Sequence, residues 1–513
     1  MRGGLFAIAI ATAALLAAPP SLAKDELVLA IQGEPAQGYD PTLGWGEYGH
    51  PLIQSTLLTR DADLATRPDL ARSWTLSDDR LTWTVTIRGD VRFSDGSRLT
   101  ARDVAFTFRQ AAGSGGIADL SILLSAEASD DTTVVLRLKR PRVTFQESFF
   151  TLGIVPERSY GPDYARKPIG SGPYRLVRWL RGQQMVVEAN ELYYGKTPPF
   201  RRLIFLFTGE DASYAAARAG QVDVVSVPAS FAGNVPSGMT RVVARTVDNR
   251  GLMFPMKSGP AGNDVTADPA IRRAVNVALD RKLLVAQVAA GFATPATGPA
   301  DGLPWSNPDA VLPDADPAAA EAMLDAAGWS KGSDGIRRKG AMKAEFPLVY
   351  FSSDSTRQML AIAVADQLRR IGIVAQPAGK SSEEVRRLMP SSVVLFGWGS
   401  HNPIEVYYLH HSSLSGTGFY NAGFYANAAV DAHLDRAQSA ASLEESYAAW
   451  RAAAWDSTTG YGMRGDAAWA WLVNLDHVYL VRSCLDTGRR QIEPHGHGWP
   501  VTSNILDWRW TCP

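Results

Sequence analysis

The histidines of this chain are concentrated toward its C-terminal end. Seven of the eight follow residue 400, namely His401, His410, His411, His433, His477, His495 and His497. One glycine separates His495 from His497 in the segment EPHGHGWP (residues 493–500), and in an extended loop this spacing can direct both imidazoles at one metal ion. Neutral imidazole is the commonest protein nitrogen ligand for nickel, copper and zinc. The pattern therefore predicts a metal site at His495 and His497, with a surface turn as the alternative.

Other residues are suited to an organic ligand. Trp45, Tyr48 and His50 lie in the glycine-rich segment LGWGEYGHPL (residues 43–52), and aromatic walls with a few polar groups are typical of small-ligand sites. Arg250 can pair bidentately with a ligand carboxylate. His50 is a candidate third metal ligand. The alternatives are that the loop residues pack against the protein and that Arg250 pairs with Asp248.

The motifs of common secreted enzymes are absent from the sequence. We find no Gly-x-Ser-x-Gly elbow, no His-Glu-x-x-His helix and no glycine loop followed by a Walker-type lysine. Catalytic carboxylates cannot be singled out by spacing. The chain is therefore not expected to be an enzyme, and a secreted hydrolase with an unrecognised site is the alternative.

Length and composition indicate a large folded protein. A chain of 513 residues is longer than a single compact core normally accommodates, so two or three domains are expected. Hydrophobic residues make up 46% and charged residues 20%, as in ordinary globular proteins. The net charge of -1 gives no reason to expect a nucleic-acid partner.

The N-terminal segment has the form of a secretory signal. Arg2 precedes an apolar run over residues 5–18, and small residues then stand at Ser21 and Ala23, where a signal peptidase would read them. We expect cleavage after residue 23 and a periplasmic protein, with a membrane anchor as the alternative. No cysteine follows the site to carry a lipid. The two cysteines, Cys484 and Cys512, are expected to form one disulfide in that oxidising compartment.

Strand and helix patterns alternate along the mature chain. Residues 81–88 alternate strictly between apolar and polar, which predicts a half-buried strand. Thr100 and Asp103 have the spacing of a capping box. Asp268 and Asp316 each precede a proline, which is typical of the first turn of a helix. The fold class is therefore α/β.

A series of ordered motifs carries a resemblance to one family along nearly the whole mature chain. They include TWTVTIRGDVRFSDGSRLTARDVAFTF (residues 82–108), PIGSGPYRLVRW (168–179), DPAIRRAVNVALDRKLLV (268–285) and FYANAAVDAHLDRA (424–437). The chain resembles the family 5 extracellular solute-binding proteins, the peptide- and nickel-binding group of ABC importers. The resemblance implies a two-lobed periplasmic binding protein of class II, cluster C type, with a subdomain inserted in the first lobe. It also implies a monomer that delivers a small ligand to a membrane permease.

The resemblance suggests the following division of the chain. Residues 1–23 would be the signal peptide. The core of the first lobe would comprise residues 24–66, 180–256 and 480–513. Residues 67–179 would form the inserted subdomain, and residues 257–479 the second lobe.

Within the family, the chain looks most similar to a nickel-histidine and metallophore-binding subgroup. FGWGSHNPIEVYYLHHSS (residues 396–413) and YNAGFYAN (420–427) carry this likeness, which implies ligand contacts from Trp398, His401, Tyr420 and Asn421. The chain departs from the subgroup at Ala422, where some members offer arginine, and at Glu493, where an additional histidine often stands. We therefore expect a chelate of Ni(II) or another transition metal as cargo, with no intrinsic cofactor. A di- or oligopeptide is the alternative ligand.

Overall fold

The structure is a computed structural model that describes residues 24–49, 52–114 and 119–512. The predicted signal segment and the candidate ligand His50 therefore lie outside the described residues. Within these ranges, no helix is both long enough and apolar enough to cross a bilayer.

Seven strands form the first sheet. Its central strand, Glu26–Ile31, pairs in parallel with strands on both sides. Successive side chains of a strand point to opposite faces, so Leu29 and Ile31 enter one core whereas Ala30 enters the other. The strands follow one another across the sheet in the order Met239–Ala244, His477–Arg482, Val224–Val227, Glu26–Ile31, Arg202–Phe207, Gln184–Ala189 and Tyr174–Leu180.

Six strands form the second sheet, which also has a core on each face. Leu252 and Leu395 enter one core, and the neighbouring Met253 and Val394 enter the other. The strands are ordered Ala293–Pro295, Trp469–Leu475, Asn249–Met253, Val393–Phe396, Glu345–Phe351 and Val374–Lys380. The two sheets are the centres of two lobes.

A third sheet has four strands. In sequence, these strands come between Glu26–Ile31 and Tyr174–Leu180, the first two strands of the first sheet. Its order is Ala71–Leu76, Thr82–Ile87, Thr133–Leu138 and Leu123–Ala128. Burial alternates along Thr82–Ile87, as the sequence pattern predicts. The helix Ala101–Ser114 covers this sheet, and the Asp103 carboxylate accepts a hydrogen bond of 2.8 Å from the Thr100 backbone N–H at its start.

Two further helix starts agree with the sequence. The side chains of Asp268 and Asp316 each accept a backbone hydrogen bond of 2.9 Å, and proline follows both. The first helix stops at Ala278, although its apolar spacing continues through Leu279, because Asp280 caps a separate helix. The α-helices of the described residues are Ala101–Ser114, Ser148–Thr151, Glu210–Arg218, Asp264–Ala267, Pro269–Ala278, Arg281–Gln287, Pro317–Ala326, Ser355–Arg370, Ser382–Leu388, Ile404–His410, Ala428–Gln438 and Leu443–Ala454.

The remaining strands are short. They form three small sheets, from which Leu58 enters the core of the inserted subdomain and Leu485 enters a core of the first lobe. They are Leu58–Arg60 with Thr66–Pro68, Ser330–Lys331 with Arg337–Lys339 and Met342–Lys343, and Leu485–Asp486 with Arg509–Trp510.

The chain crosses between the two large sheets at residues 245–248 and again at Asp476. The crossings lie side by side: the Leu475 backbone N–H donates to the Asp248 carbonyl at 2.8 Å, and Arg245 pairs with Asp476 at 3.1 Å. Two adjacent crossings with little other covalent connection form a hinge, which permits the lobes to rotate about it.

Strand pairing differs from the proposed lobe boundaries in three places. Tyr174–Leu180 belongs to the first sheet rather than to the inserted subdomain, and Asn249–Met253 belongs to the second sheet rather than to the first lobe. His477–Arg482 belongs to the first sheet, although residues 477–479 were assigned to the second lobe. All three strands stand beside a crossing between units, where local apolar patterns do not indicate which sheet a strand joins. The other boundaries of the proposed lobes remain predictions.

The two cysteines form the expected disulfide. Cys484 is bonded to Cys512, with a separation of 28 residues in sequence. The pairs Leu485–Trp510 and Asp486–Arg509 continue the contact as a short antiparallel ladder. The C-terminal segment is thereby attached to the first lobe.

Candidate functional site

A main cleft of about 1000 Å³ separates the lobes. The first lobe contributes residues 32–38 and 43–49, the second contributes residues around Trp398 and Tyr420, and the C-terminal segment contributes residues around His497. This volume matches that of pockets that enclose small organic ligands. Trp45, Tyr48, Trp398, Tyr420 and His497 were selected from the sequence, and all five line this cleft.

Aromatic rings form much of the cleft wall. Trp398 stacks on Tyr420 with ring centroids 4.2 Å apart, and its other neighbour is Phe396 at 6.0 Å. Trp45 is mostly buried, where it packs edge-on against Tyr39 and Trp499. Trp45 therefore supports the wall, whereas Trp398 and Tyr420 present the larger aromatic surface.

The two histidines of the HGH segment meet at the cleft. Their Nε2 atoms lie 3.2 Å apart, and Tyr48 packs edge-on against the His495 ring with centroids 5.4 Å apart. His495 is buried, whereas His497 is exposed to the cleft and has a backbone φ of 52°. Burial lowers the pKa of His495, and enclosure between the lobes together with His495 lowers that of His497. Both imidazoles are therefore neutral at pH 7.

Asp248 fixes the orientation of His495. The Nδ1 of His495 lies 2.7 Å from the Asp248 carboxylate and donates its proton there. This tautomer leaves the lone pair of His495 on Nε2, the atom that faces His497. A carboxylate behind a histidine is the usual arrangement at metal sites, because it sets the tautomer and raises the basicity of the ligand.

Asp248 is also the centre of a buried ionic cluster at the hinge. It accepts hydrogen bonds from Arg250, two residues later at the start of the next strand, and from His477 Nε2 at 3.1 Å. His477 Nδ1 in turn faces the Glu493 carboxylate at 2.8 Å. Burial is the largest single effect and raises the pKa of Asp248, but the positive charge of Arg250 and the contacts with His495 and His477 together outweigh it and hold this pKa well below the usual range.

His477 is the titratable link of this cluster. Burial alone would lower its pKa, but the hydrogen bonds that His477 donates to Asp248 and Glu493, together with their negative charges, outweigh burial and raise it to about 9. The ring is therefore an imidazolium at neutral pH, with one carboxylate at each nitrogen. Sequence spacing could not identify this residue, because 229 positions separate it from Asp248.

We expect His477 to make stability depend on pH. Its folded pKa of about 9 exceeds the unfolded value of 6.5, so its contribution is complete below pH 6.5 and is lost as pH rises through 9. His477→Gln should cost on the order of 3 kcal/mol at pH 6.5 and much less at pH 9.5. Urea unfolding at both pH values measures this. His433→Gln, which removes a ring paired with Asp456, is the control, and equal losses at the two pH values would contradict the expectation.

Two predicted ligand residues, and one residue at which the chain departs from the subgroup, have their contacts within the protein. Arg250 does not line the cleft and is paired with Asp248, the alternative weighed from the sequence. Asn421 is buried, and its amide donates to the carbonyl of Tyr425 at 2.9 Å and accepts from the N–H of the same residue at 2.9 Å. Glu493, the departure from the subgroup, is buried against His477 and Tyr479. These three side chains therefore form their hydrogen bonds and ion pairs with other residues of the protein.

His401 lines a side cavity of about 110 Å³ rather than the main cleft. Its Nε2 is buried without a hydrogen-bond partner among the described residues, and burial lowers its pKa to about 3. Within the described ranges, no group of three or more histidine, cysteine or carboxylate side chains is arranged to hold a metal ion. His495 and His497 therefore supply at most two protein ligands from this part of the chain.

Several other residues that line the cavities were not predicted from the sequence. Arg386 reaches the main cleft from the helix Ser382–Leu388, with its guanidinium 4.5 Å from the centre of the Phe419 ring. Glu47 and Glu405 line the side cavity. Glu47 lies in the segment 43–52 and Glu405 in the segment 396–413, both of which had been chosen for their aromatic residues and histidines. A carboxylate among such residues could have indicated that these glutamates line a cavity.

The fold and cleft define a solute-binding protein. The family model for bacterial extracellular solute-binding proteins, family 5 (Middle), matches residues 65–420, which is more than half of the chain. The chain belongs to this family, whose members bind solutes for ABC importers and are not enzymes. The family and the two-lobed α/β fold expected from the sequence are thereby confirmed.

Individual relatives differ in the ligand they bind. Protein XP55 of Streptomyces lividans is 34% identical over 486 residues, with 92% of this chain and 87% of that protein covered. NikZ of Campylobacter jejuni, solved with Ni(L-His), superimposes with a TM-score of 0.85 at 25% identity, covering 95% of this chain and 99% of that one. The oligopeptide-binding protein AppA of Bacillus subtilis is 28% identical over 414 residues, with 76% of this chain and 75% of that protein covered. Relatives of both ligand classes are therefore similar to the chain.

Proposed function

We propose that this protein captures a chelate of nickel or a similar transition metal between its lobes. The observation that carries the proposal is the pair of Nε2 atoms of His495 and His497, which lie 3.2 Å apart at the cleft. Two imidazole nitrogens bound at about 2.1 Å to one ion and at a right angle lie about 3.0 Å apart. The spacing therefore suits two adjacent ligands of one ion.

Protonation supports the same interpretation. Nδ1 of His495 donates to Asp248, so its Nε2 lone pair is available to a metal ion. The lowered pKa of both rings favours the neutral form that binds metals. A hydrogen bond between the two rings explains the contact when no ion is bound.

The metal would arrive as a chelate. Two histidines leave most of the coordination sphere of nickel to other donors, and the described residues offer no third group beside them. A small chelator such as free histidine fills the remaining positions. The stacked rings of Trp398 and Tyr420 would then contact its organic part, and NikZ, solved with Ni(L-His), offers a similar fold.

The lobes would act as a reversible trap. Contacts from both lobes stabilise the closed form, and docking on an ABC permease opens the hinge and releases the ligand. In this proposal the mature chain begins after residue 23, works as a monomer and is periplasmic. The lobes follow the division given from the sequence, with the three strands near the crossings assigned to the sheets in which they pair.

A peptide is the second candidate ligand. The main cleft of about 1000 Å³ is larger than a nickel-histidine complex needs, and AppA, a relative by sequence, is an oligopeptide-binding protein. In this alternative His495 and His497 remain a hydrogen-bonded pair in the wall.

Native mass spectrometry of metal-depleted protein separates the two candidates. The protein is mixed with nickel alone, with L-histidine alone, with nickel plus L-histidine, and with a pool of short peptides. We expect a mass increase with nickel plus histidine that neither nickel nor histidine gives alone. An increase with peptides and none with nickel plus histidine would reject the chelate and favour the peptide ligand.

A further inference from the structure

Both chain connections of the inserted subdomain lead to the first lobe. Its four-stranded sheet comes between two strands of the first sheet in sequence. The backbone N–H of Gly172 donates to the carbonyl of Ile53 at 2.8 Å, and that of Ile154 donates to the carbonyl of Ser55 at 2.9 Å. Ile53 enters a core of the first lobe, whereas Leu57 enters the core of the subdomain. The subdomain is therefore expected to move with the first lobe when the hinge opens.

The subdomain also contacts the second lobe, at the C-terminal end of the helix Ala428–Gln438. Thr144 Oγ1 donates a hydrogen bond of 2.7 Å to the side-chain oxygen of Gln438, and both residues are buried. Arg80 donates a hydrogen bond of 2.7 Å to the backbone carbonyl of Ser439. These bonds join the two lobes without a covalent connection, far in sequence from both crossings of the hinge.

The charges on the two sides of this contact are complementary. The last carbonyls of a helix lack partners within the helix and carry the negative end of its dipole. Arg80 bonds one of these carbonyls from the subdomain. Arg140 lies 3.9 Å from the carboxylate of Asp435 in the last turn, which also has His411 Nε2 of its own lobe at 3.5 Å. Two arginines of the subdomain thus face the negative end of a helix of the second lobe.

The backbone of Arg80 is consistent with a specific role for its side chain. This residue has a φ of 60° in the turn between the strands Ala71–Leu76 and Thr82–Ile87. Glycine and asparagine adopt this left-handed conformation at less cost than other residues do. The arginine therefore accepts a less favourable backbone, and its long side chain makes a contact with the second lobe that glycine could not make.

The contact lies outside the main cleft. We call it the clasp and define it by six residues: Arg80, Arg140 and Thr144 of the subdomain, and Asp435, Gln438 and Ser439 of the second lobe. None of these six residues lines the main cleft, and Thr144 lines the side cavity. A ligand in the main cleft therefore does not contact the clasp, so the contribution of the clasp to closure is the same for every ligand.

We propose that the clasp holds the two lobes closed from outside the ligand site. Its contacts join parts of the chain that separate when the hinge opens, so they belong to the closed form. Loss of the clasp shifts the equilibrium toward the open form, whichever ligand is transported. The clasp therefore reduces the binding free energy that a ligand has to supply for closure. This inference goes beyond the proposed function and does not depend on the identity of the cargo.

Small-angle X-ray scattering of the mature protein without ligand tests the clasp, because opening of the lobes increases the radius of gyration. Arg80→Ser with Arg140→Ser and Thr144→Val should raise the ratio of open to closed molecules at least about fivefold, since each lost hydrogen bond had favoured the closed form. The radius of gyration should increase accordingly. Asp435→Asn with Gln438→Leu weakens the same contact from the second lobe and should change the radius in the same direction.

Arg98→Ser with Arg370→Ser is the matched control. Arg98 pairs with Asp131 inside the subdomain, and Arg370 pairs with Asp366 inside the second lobe. The control removes two positive charges, as the first variant does, but leaves the clasp intact. It should keep the radius of gyration of the wild type.

Circular dichroism verifies that each variant is folded. The two sets of substitutions act from opposite lobes, so poor folding of one set leaves the other to decide. An unchanged radius of gyration in a folded set, or an equal increase in the control, would overturn the inference. Because the experiment uses no ligand, its failure is distinguishable from a failure of the proposed chelate binding.

Discussion

His495→Ala combined with His497→Ala should lower the affinity of the protein for nickel-histidine at least about 100-fold. The substitution removes both imidazoles at the cleft and leaves no other histidine, cysteine or carboxylate cluster in the described residues to replace them. Changes in the groups behind a metal ligand already cost about 10- to 100-fold, and loss of the ligands costs more. Isothermal titration with nickel and excess L-histidine measures the effect.

A matched control separates metal binding from a general effect of histidine loss. His433→Ala removes a ring that pairs with Asp456 at 3.0 Å and does not line the cleft. This variant should bind nickel-histidine as the wild type does. Unchanged affinity in the double variant would reject His495 and His497 as ligands and would return them to the role of a hydrogen-bonded pair in the wall.

Asp248→Asn is expected to have the largest effect on stability. The carboxylate is buried and accepts hydrogen bonds from Arg250, His477 and His495. The substitution keeps the shape but leaves two buried cations without their shared counter-ion, which costs about 3–5 kcal/mol. The midpoint of urea unfolding at pH 7 measures the change.

The pH dependence of this effect has a defined sign. The folded pKa of Asp248 is depressed, so its contribution is present above the unfolded pKa and is lost as pH falls through the folded value. The difference between Asp248→Asn and the wild type should therefore shrink in acid. Asp456→Asn, which alters a partly exposed carboxylate paired with His433, should cost only about 0–1 kcal/mol. A similar loss in both variants would show that the hinge cluster contributes no more than a surface pair.

Local sequence patterns predicted the elements that local interactions determine. The strand Thr82–Ile87 alternates as expected, because one face packs on the subdomain core. Asp268 and Asp316 cap helices because cap and first turn are neighbours in sequence. The disulfide followed from the presence of only two cysteines in a chain expected to be secreted.

The hinge cluster could not be predicted in this way. Asp248, His477 and Glu493 come from separate segments, and their meeting depends on how the two crossings lie side by side. Arg250 was assigned a ligand role from its residue type, but its guanidinium pairs with Asp248, two positions earlier. Whether a charged residue is free to bind a ligand therefore depends on neighbours, near or distant in sequence, that its residue type does not reveal.

The Cys484–Cys512 bond closes a covalent ring of chain that contains both cleft histidines. One cut of the backbone anywhere inside this ring leaves the two pieces joined through sulfur, so a nicked protein keeps the mass of the intact chain apart from one added water. Reduction then separates a C-terminal peptide from the rest. The segment that carries His495 and His497 therefore has two attachments to the first lobe, and protease damage to one of them does not release it.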